Sequence, residues 1–243
     1  RASGVAAPLP NRRPNSPGFF FSPLSFMKTL TFAPDVPHAQ LDSVPRPFDS
    51  LFAMMPPDLN SPQAPGIDLN SRLLHRDGLI LIINKPAGIA VHRGPKGGEN
   101  LEDYFGQLRF GLPRDPALAH RLDRDTSGCL VLGRHHKAIV KLGKLFKAGH
   151  IAKKYWAIVD GGPEDGQGLI DMPLGRLNPD RGWWMKHDPD GQPSQTRWQV
   201  MGRGQGSDGK PISWLELEPL TGRTHQLRVH CATSGFAIGG DQI

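Results

Sequence analysis

Prolines are concentrated at the start of this chain, and their distribution limits where a regular fold can form. The first 70 residues contain 13 of the 24 prolines in a chain of 243 residues. Each proline removes a backbone donor and interrupts the periodicity of helices and strands. We therefore predict a mostly irregular N-terminal extension over residues 1–70 and a folded domain over residues 71–243. Met27, which begins the segment MKTLTF, is an alternative translational start.

The net positive charge of the chain belongs to the predicted domain. The net charge is +6, and residues 1–70 carry five basic and five acidic side chains, so the whole excess lies after residue 70. Between residues 126 and 159 no acidic residue occurs, but seven basic ones do: Arg134, Lys137, Lys141, Lys144, Lys147, Lys153 and Lys154. A field of one sign attracts a polyanion such as nucleic acid, although a solvated helix face gives the same pattern.

Short strand-like runs outnumber helical ones in the domain. The runs are LILII (79–83), IAVH (89–92), CLVLG (129–133), KKYWAIVDG (153–161), QTRWQVM (195–201) and ISWLELEPL (212–220). Three segments favour helices: one capped by Asn100, one over residues 136–148 ending at Gly149, and one that follows a turn within residues 221–235. Many short strands with short connections predict an α+β fold with a mixed, largely antiparallel central sheet and flanking helices.

The motif HRLDRDTSG at residues 120–128 contains the first candidate for chemistry. Asp123 stands between Arg121 and Arg124, whose guanidinium groups favour the charged form of a carboxylate. A surface ion pair is the ordinary interpretation, and an ionised nucleophile or base on a loop at a sheet edge is the functional one. Asp125 also allows a paired-acid glycoside hydrolase, but the basic helical segment and the absence of other paired acids near aromatic residues argue against it. We expect His120 to be a structural hydrogen-bonding residue.

Two further residues are candidates for the same site. Tyr155 alternates with Trp156 along a strand, so its ring either packs in the core or stacks on a base. Arg223 lies in a turn before a helix, where it could hold a carboxylate or a phosphate. The segment RGWWMK (181–186) places two tryptophans between basic residues, which also fits either core packing or stacking on an unpaired base.

Metal, nucleotide and redox chemistry have no matching pattern. His225 and His230 are five residues apart, which is the wrong spacing for a shared site on one helix. No phosphate-binding loop, dinucleotide fingerprint or serine elbow occurs in the sequence. The two cysteines, Cys129 and Cys231, form no disulfide framework and are typical of a reducing cytoplasm.

Four segments in order resemble one family. NKPAGIAVH, HRLDRDTSGCLVLGR, KKYWAIV and PLTGRTHQLRVH, followed by GGD, are similar to the RluA-type pseudouridine synthases. The resemblance covers residues 72–241, about 70% of the chain. It implies the pseudouridine synthase fold with an active-site cleft, and conversion of uridines in structured rRNA or tRNA to pseudouridine. It also implies a cytoplasmic, monomeric enzyme that uses neither metal nor organic cofactor.

The resemblance also assigns roles to individual residues. Asp123 matches the essential aspartate that acts on the ribose. Arg121 matches an arginine that helps to hold the flipped-out nucleotide. Tyr155 matches the tyrosine that packs on the uracil and takes part in proton removal from its carbon. Arg223 matches the arginine that pairs with the aspartate. We expect RNA binding by Arg121, Arg124, Lys137, Lys141, Lys144, Lys153 and Lys154.

Two expectations remain open at this stage. The chain ends at GGDQI, where the family continues with a further strand and a short helical end, so a C-terminal truncation is expected. The alternative to an isomerase is a protein that binds or folds RNA without essential catalysis.

Overall fold

The computed structural model describes residues 26–31, 66–94, 97–177 and 185–241, the first of these ranges by its backbone alone. Its strands are β1 (Phe26–Thr31), β2 (Leu73–Arg76), β3 (Ile80–Lys85), β4 (Ala117–Leu118), β5 (Thr126–Gly133), β6 (Ala152–Asp160), β7 (Gln167–Asp171), β8 (Leu174–Arg176), β9 (Met185–His187), β10 (Gln195–Gln205) and β11 (Pro211–Pro219). Its helices are α1 (His136–Lys147), α2 (Gln226–Thr233) and a 3-10 helix (Leu101–Leu108).

One large sheet organises the described residues. Its strand order is β2-β3-β5-β1-β6-β11-β10-β7, with β4 paired to β5, while β8 and β9 form a separate ribbon. The pair of β1 and β5 is parallel, and the other pairs of the sheet are antiparallel. The predicted α+β fold with a mixed, largely antiparallel sheet is confirmed.

Strand β1 lies in the segment that the prolines predict to be mostly irregular. It pairs with β5 through Phe26 and Thr126 and with β6 through Lys28 and Tyr155. Six residues of that segment therefore join two strands of the central sheet. At the other end of the segment, Leu69 is fully buried in the domain core.

Local sequence chemistry accounts for the helix boundaries. The Asn100 side chain accepts from the backbone N–H of Glu102 and caps the 3-10 helix, which confirms the predicted cap. After α1, Gly149 adopts φ 73°, a conformation that glycine reaches without steric cost. The predicted strand over residues 89–92 is wrong: only Ala90 forms a bridge, with Asn100, because this segment packs against the start of the 3-10 helix.

The hydrophobic core has two parts. One contains Leu81, Ile83, Leu122, Leu130 and Leu132 among its buried residues, and the other contains Ala157, Val159, Leu215, Leu217 and Leu227 among its own. Tyr155 packs against both parts. The junction between the two parts therefore lies at β6, where the candidate tyrosine stands.

Candidate active site

A cleft of about 410 Å³ is lined by residues from both parts of the core. Four segments line it: the loop before β5, the end of α1, the start of β6, and the turn that leads into α2. The lining residues that bear on chemistry are Arg121, Asp123, Phe146, Lys147, Lys153, Tyr155, Arg223, His225 and Arg228. Asp123, Tyr155 and Arg223, which are distant in sequence, therefore share one cleft.

Asp123 is held on a short turn between β4 and β5. The backbone N–H of Thr126 donates to the Asp123 carbonyl oxygen at 3.2 Å, and Leu122 beside it is buried in the core. The Asp123 side chain keeps 28% of its surface exposed. The carboxylate is thus fixed through its neighbours and still open to the cleft.

The cationic partner of Asp123 is Arg228, which the sequence analysis missed. Nη1 of Arg228 lies 3.9 Å from Oδ2 of Asp123. The same guanidinium donates from Nε and Nη2 to the two carboxylate oxygens of Asp241, both at 2.6 Å. The hydrogen bond to Asp241 raises the pKa of Arg228 above its usual value. Arg228 is therefore a fixed positive charge beside the acid.

The predicted pairing of Arg223 with Asp123 is wrong. The Nε of Arg223 donates instead to the carbonyl oxygen of Pro193 at 3.2 Å. Arg223 precedes α2 and lies in the turn, whereas Arg228 lies inside the helix and faces the acid. Which arginine faces Asp123 depends on which residue of TGRTHQLR begins the helix, and the sequence alone did not predict that boundary.

Lys85 lies fully buried beneath the Asp123 turn, although nothing in the sequence singled it out. Its ammonium group donates to the carbonyl oxygens of Pro86, Arg124 and Thr126 at 2.8, 2.9 and 3.0 Å. Burial lowers its pKa to about 8, against the opposing attraction of Asp125 and Asp123. The strand period gave a signal, since Leu81, Ile83 and Lys85 alternate on the buried face of β3.

The environment of Tyr155 keeps its hydroxyl group protonated. Burial raises the pKa of the phenol well above its usual value, and the negative charge of Asp123 raises it further. The ring lies between the two parts of the core and lines the cleft. Tyr155 therefore offers an aromatic surface and a neutral hydroxyl group to a molecule in the cleft.

The basic residues predicted to bind RNA are distributed over four places. Arg121 and Lys153 line the cleft, and burial lowers the pKa of Lys153. Arg124 turns away and donates from Nε to the Gly88 carbonyl oxygen at 2.9 Å. Lys154 lies on the other side of its strand, where its ammonium group is 2.5 Å from Oε1 of Glu216.

Three of the four lysines of α1 line an open groove on the surface. Lys137, Lys141 and Lys144 line it together with His136 and Val140. Lys147, at the end of the same helix, lines the cleft. Because residues three and four apart share one face of a helix, these lysines form a basic stripe that leads away from the cleft.

His120 is structural, as predicted, because its Nε2 accepts from the backbone N–H of Val131 at 2.9 Å. Trp183 and Trp184 lie outside the described residues. Within the described ranges no three His, Cys, Asp or Glu side chains are grouped to hold a metal ion. Among the same residues, no helix combines the length and the apolar character needed to cross a bilayer.

Comparison with known proteins identifies the relatives of this chain. The profile of the family described as RNA pseudouridylate synthase matches residues 79–233. An RNA pseudouridine synthase of Zymomonas mobilis is 43% identical over 71% of this chain and 78% of its own length. The dual-specificity RNA pseudouridine synthase RluA of Vibrio parahaemolyticus is 36% identical over 76% of this chain and 72% of its own length.

A solved structure with the same family name has a similar fold. The human RNA pseudouridylate synthase domain-containing protein 1 superposes with a TM-score of 0.60 at 29% identity, over 72% of this chain and 70% of that one. Several other curated relatives are longer, and the chain spans 50% to 54% of their lengths.

Proposed function

The chain belongs to the RNA pseudouridylate synthase family, and we propose that it isomerises selected uridines of a structured RNA to pseudouridine in the cleft around Asp123. The observation that carries the proposal is the convergence of Asp123, Tyr155 and Arg228 on one cleft. An aromatic ring, an acid and a fixed cation are the groups that a flipped-out nucleotide would meet there.

The reaction rearranges a single nucleotide. The bond between N1 of uracil and C1′ of ribose breaks, and a bond between C5 and C1′ forms. C5 loses a proton, and N1 gains one from solvent. Because no electrons enter or leave the nucleotide, the rearrangement needs no redox cofactor, and we propose that it needs no metal.

Asp123 is the residue that acts on the ribose in this proposal. Its carboxylate faces the cleft and has Arg228 at 3.9 Å, while Asp241 fixes that guanidinium with two hydrogen bonds. A charge that is already in place needs no reorganisation during the reaction, which is how preorganised sites lower a barrier. Arg223, which lines the same cleft without an ion pair to Asp123, is left to hold an RNA phosphate.

Tyr155 receives the uracil in this proposal. A ring at the wall of the cleft stacks on a base of any sequence. Its hydroxyl group is neutral because burial and Asp123 raise its pKa. The hydroxyl oxygen accepts the proton that leaves C5 as its own proton passes to solvent, so the phenol is neutral before and after the step. Proton transfer by a positioned side chain contributes about 10²- to 10⁴-fold to a rate.

The RNA must deliver its uridine to the cleft in an extruded form. A base inside a stem-loop cannot reach Asp123, and unstacking it costs a few kcal/mol. Arg121 and Lys153 in the cleft, and the basic stripe of Lys137, Lys141, Lys144 and Lys147, are placed to bind backbone phosphates and offset that cost. We propose ribosomal RNA or tRNA stem-loops as substrates.

Incubation with unmodified RNA tests the proposal. The purified protein is added to in vitro transcripts of bacterial 23S rRNA and a tRNA pool, which contain no pseudouridine. Carbodiimide labelling and reverse transcription then map new pseudouridines. We expect stops at a small number of uridines. Tight binding without any new stop would favour the alternative of an RNA-binding protein without catalysis.

We further propose that the enzyme works as a monomer in the cytoplasm. Both cysteines are free thiols, which is consistent with a reducing compartment. Light scattering of the protein with and without RNA, and fractionation of cells expressing it, would test these two points.

A further inference from the structure

His225 adopts a backbone conformation that is uncommon for residues other than glycine. It has φ 52° and ψ 20°, in the left-handed region, and it stands immediately before the first residue of α2. Its side chain makes no capping hydrogen bond to the helix. Non-glycine residues held in this region cost free energy and cluster at functional sites. The conformation turns the imidazole into the cleft beside Asp123.

The imidazole and Arg228 approach the same oxygen of the acid. Nε2 of His225 lies 3.9 Å from Oδ2 of Asp123, and Nη1 of Arg228 lies 3.9 Å from that oxygen. Both distances are longer than a hydrogen bond. Catalytic contacts are often long before substrate binds, however, and shorten in the complex. Two donors therefore flank one carboxylate oxygen, and Oδ1 remains for the substrate.

The surroundings of the second ring nitrogen, Nδ1, indicate that the His225 ring is uncharged. Nδ1 is buried and has no hydrogen-bond partner among the residues that the structure describes. A protonated ring would bury an N–H group without an acceptor, which is costly. Burial lowers the pKa of His225; Arg228 and Arg121 act in the same direction, and Asp123 and Asp241 oppose them. The ring therefore carries its single proton on either Nδ1 or Nε2, and only the Nε2 tautomer leaves no buried N–H unpaired.

We infer that His225 is a positioning residue for Asp123: its neutral imidazole donates from Nε2 to Oδ2 when RNA is bound and directs Oδ1 at the ribose. Arg228 supplies the charge at this oxygen, and His225 supplies a directional contact without adding a second charge. The inference rests on the proposed isomerase function.

Three variants separate this role from a structural one. His225→Asn tolerates the left-handed backbone but is too short to reach Asp123. His225→Gln places an amide donor at a reach similar to Nε2. His75→Gln, at an exposed residue of β2, is the control. Each is assayed by single-turnover tritium release from transcripts labelled at C5 of uridine, and RNA affinity is measured by filter binding.

We expect His225→Asn to lower the single-turnover rate roughly 10- to 100-fold, the loss typical of a misplaced catalytic group, with RNA affinity unchanged. His225→Gln should recover most of the rate, and the control should match wild type. A purely structural role would instead lower the thermal stability and activity of both variants together.

The pH dependence of stability supplies a readout that needs no RNA. The unfolded chain protonates His225 near the ordinary value of 6.5, but the folded chain does so only at lower pH. As pH falls through 6.5, the unfolded state gains the proton first, so wild type loses stability there. His225→Gln should lose less, and its melting temperature should fall less than that of wild type between pH 7.5 and pH 5.5.

The outcomes distinguish the two proposals. If wild type releases tritium and His225→Asn matches its rate, or if melting temperatures fall in parallel, the inference about His225 is overturned and the isomerase stands. If wild type releases no tritium from any transcript, the isomerase proposal fails, and the positioning role fails with it.

Discussion

Lys85 shows how one buried charge can fix the backbone around the candidate acid Asp123. Its three acceptors include the carbonyl oxygens of Arg124 and Thr126, on either side of Asp125. Burial lowers the pKa of Lys85 from 10.5 to about 8, so keeping the ammonium group charged costs about 3 kcal/mol. Because that pKa still lies above 7, the group stays charged at neutral pH and donates to all three carbonyl oxygens.

We predict that Lys85→Met lowers the free energy of unfolding by about 2–4 kcal/mol at pH 7, because buried carbonyl oxygens lose their donor. The folded-state pKa lies below the unfolded value, so wild type gains stability as pH rises from about 8 towards 10.5. The difference between wild type and variant should widen there by at most about 1.4 kcal/mol per pH unit.

Urea denaturation at several pH values measures this difference. Lys210→Met, at a side chain with 81% of its surface exposed, is the control and should match wild type. A difference that stays constant between pH 8 and 10 would contradict the account of Lys85.

The candidate residues differ in how far the sequence could identify them. The sequence singled out Asp123 and Tyr155 because their motifs are specific, and both line the cleft. Arg228 was missed because two arginines five residues apart in TGRTHQLR differ only in their position relative to the start of α2. Lys85 and His225 were missed because their roles depend on carbonyl groups and a carboxylate that only the folded chain brings to them.

At the scale of elements, the packing of α1 on β5 depends on a glycine. A Cβ atom at Gly133 would lie 2.5 Å from Cγ1, 3.0 Å from N and 3.2 Å from Cα of Ile139. Two of these atoms belong to the backbone of α1, so the helix itself would have to shift. The basic stripe and the end of the cleft are on that helix.

We predict that Gly133→Ala lowers the free energy of unfolding by about 1–3 kcal/mol, the range for overpacking a tight interior. Gly143→Ala, a glycine substitution within α1 itself, is the matched control, since a Cβ atom there would meet nothing within 4 Å. Alanine there should raise stability by up to about 1 kcal/mol through helix propensity. Equal effects of the two substitutions in thermal denaturation would show that contact with Ile139 does not determine the outcome.

Most elements could be predicted because their periodicity is local. β3, β5, β6, β10 and β11 and both α-helices lie where their apolar patterns indicated. The strand predicted at residues 89–92 fails because a short apolar run does not reveal whether a neighbouring strand is present to pair with it. β1 was missed because its pairing with β5 and β6, rather than its proline-flanked sequence, makes it a strand.

At the scale of the whole molecule, positive charge is organised around the cleft. The stripe of Lys137, Lys141 and Lys144 begins where Lys147 lines the cleft, whereas Lys154 is paired with Glu216 on the other side of its strand. The total charge could be counted in the sequence, but this division between cleft and opposite face could not.

We predict that Lys141→Gln and Lys144→Gln each weaken RNA binding and reduce the slope of log K against log salt by about 0.7–0.9, the value for one phosphate contact. Lys154→Gln, the matched control on the opposite face, should leave that slope unchanged. Filter binding between 50 and 300 mM KCl, about the range over which such slopes are measured, checks this. A larger effect at Lys154 than at Lys141 would indicate that RNA binds to the face of Lys154, which would contradict this account.

The most direct test of the whole account compares two acids two residues apart. Asp123→Asn and Asp125→Asn change the same chemical group, but only the first lies in the cleft. Single-turnover tritium release from C5-labelled transcripts should fall at least about 10⁴-fold in Asp123→Asn, as for other lost catalytic groups, with RNA affinity retained. Asp125→Asn should remain within about tenfold of wild type. Persistent tritium release by Asp123→Asn would contradict the assignment of this carboxylate as the group that acts on the ribose.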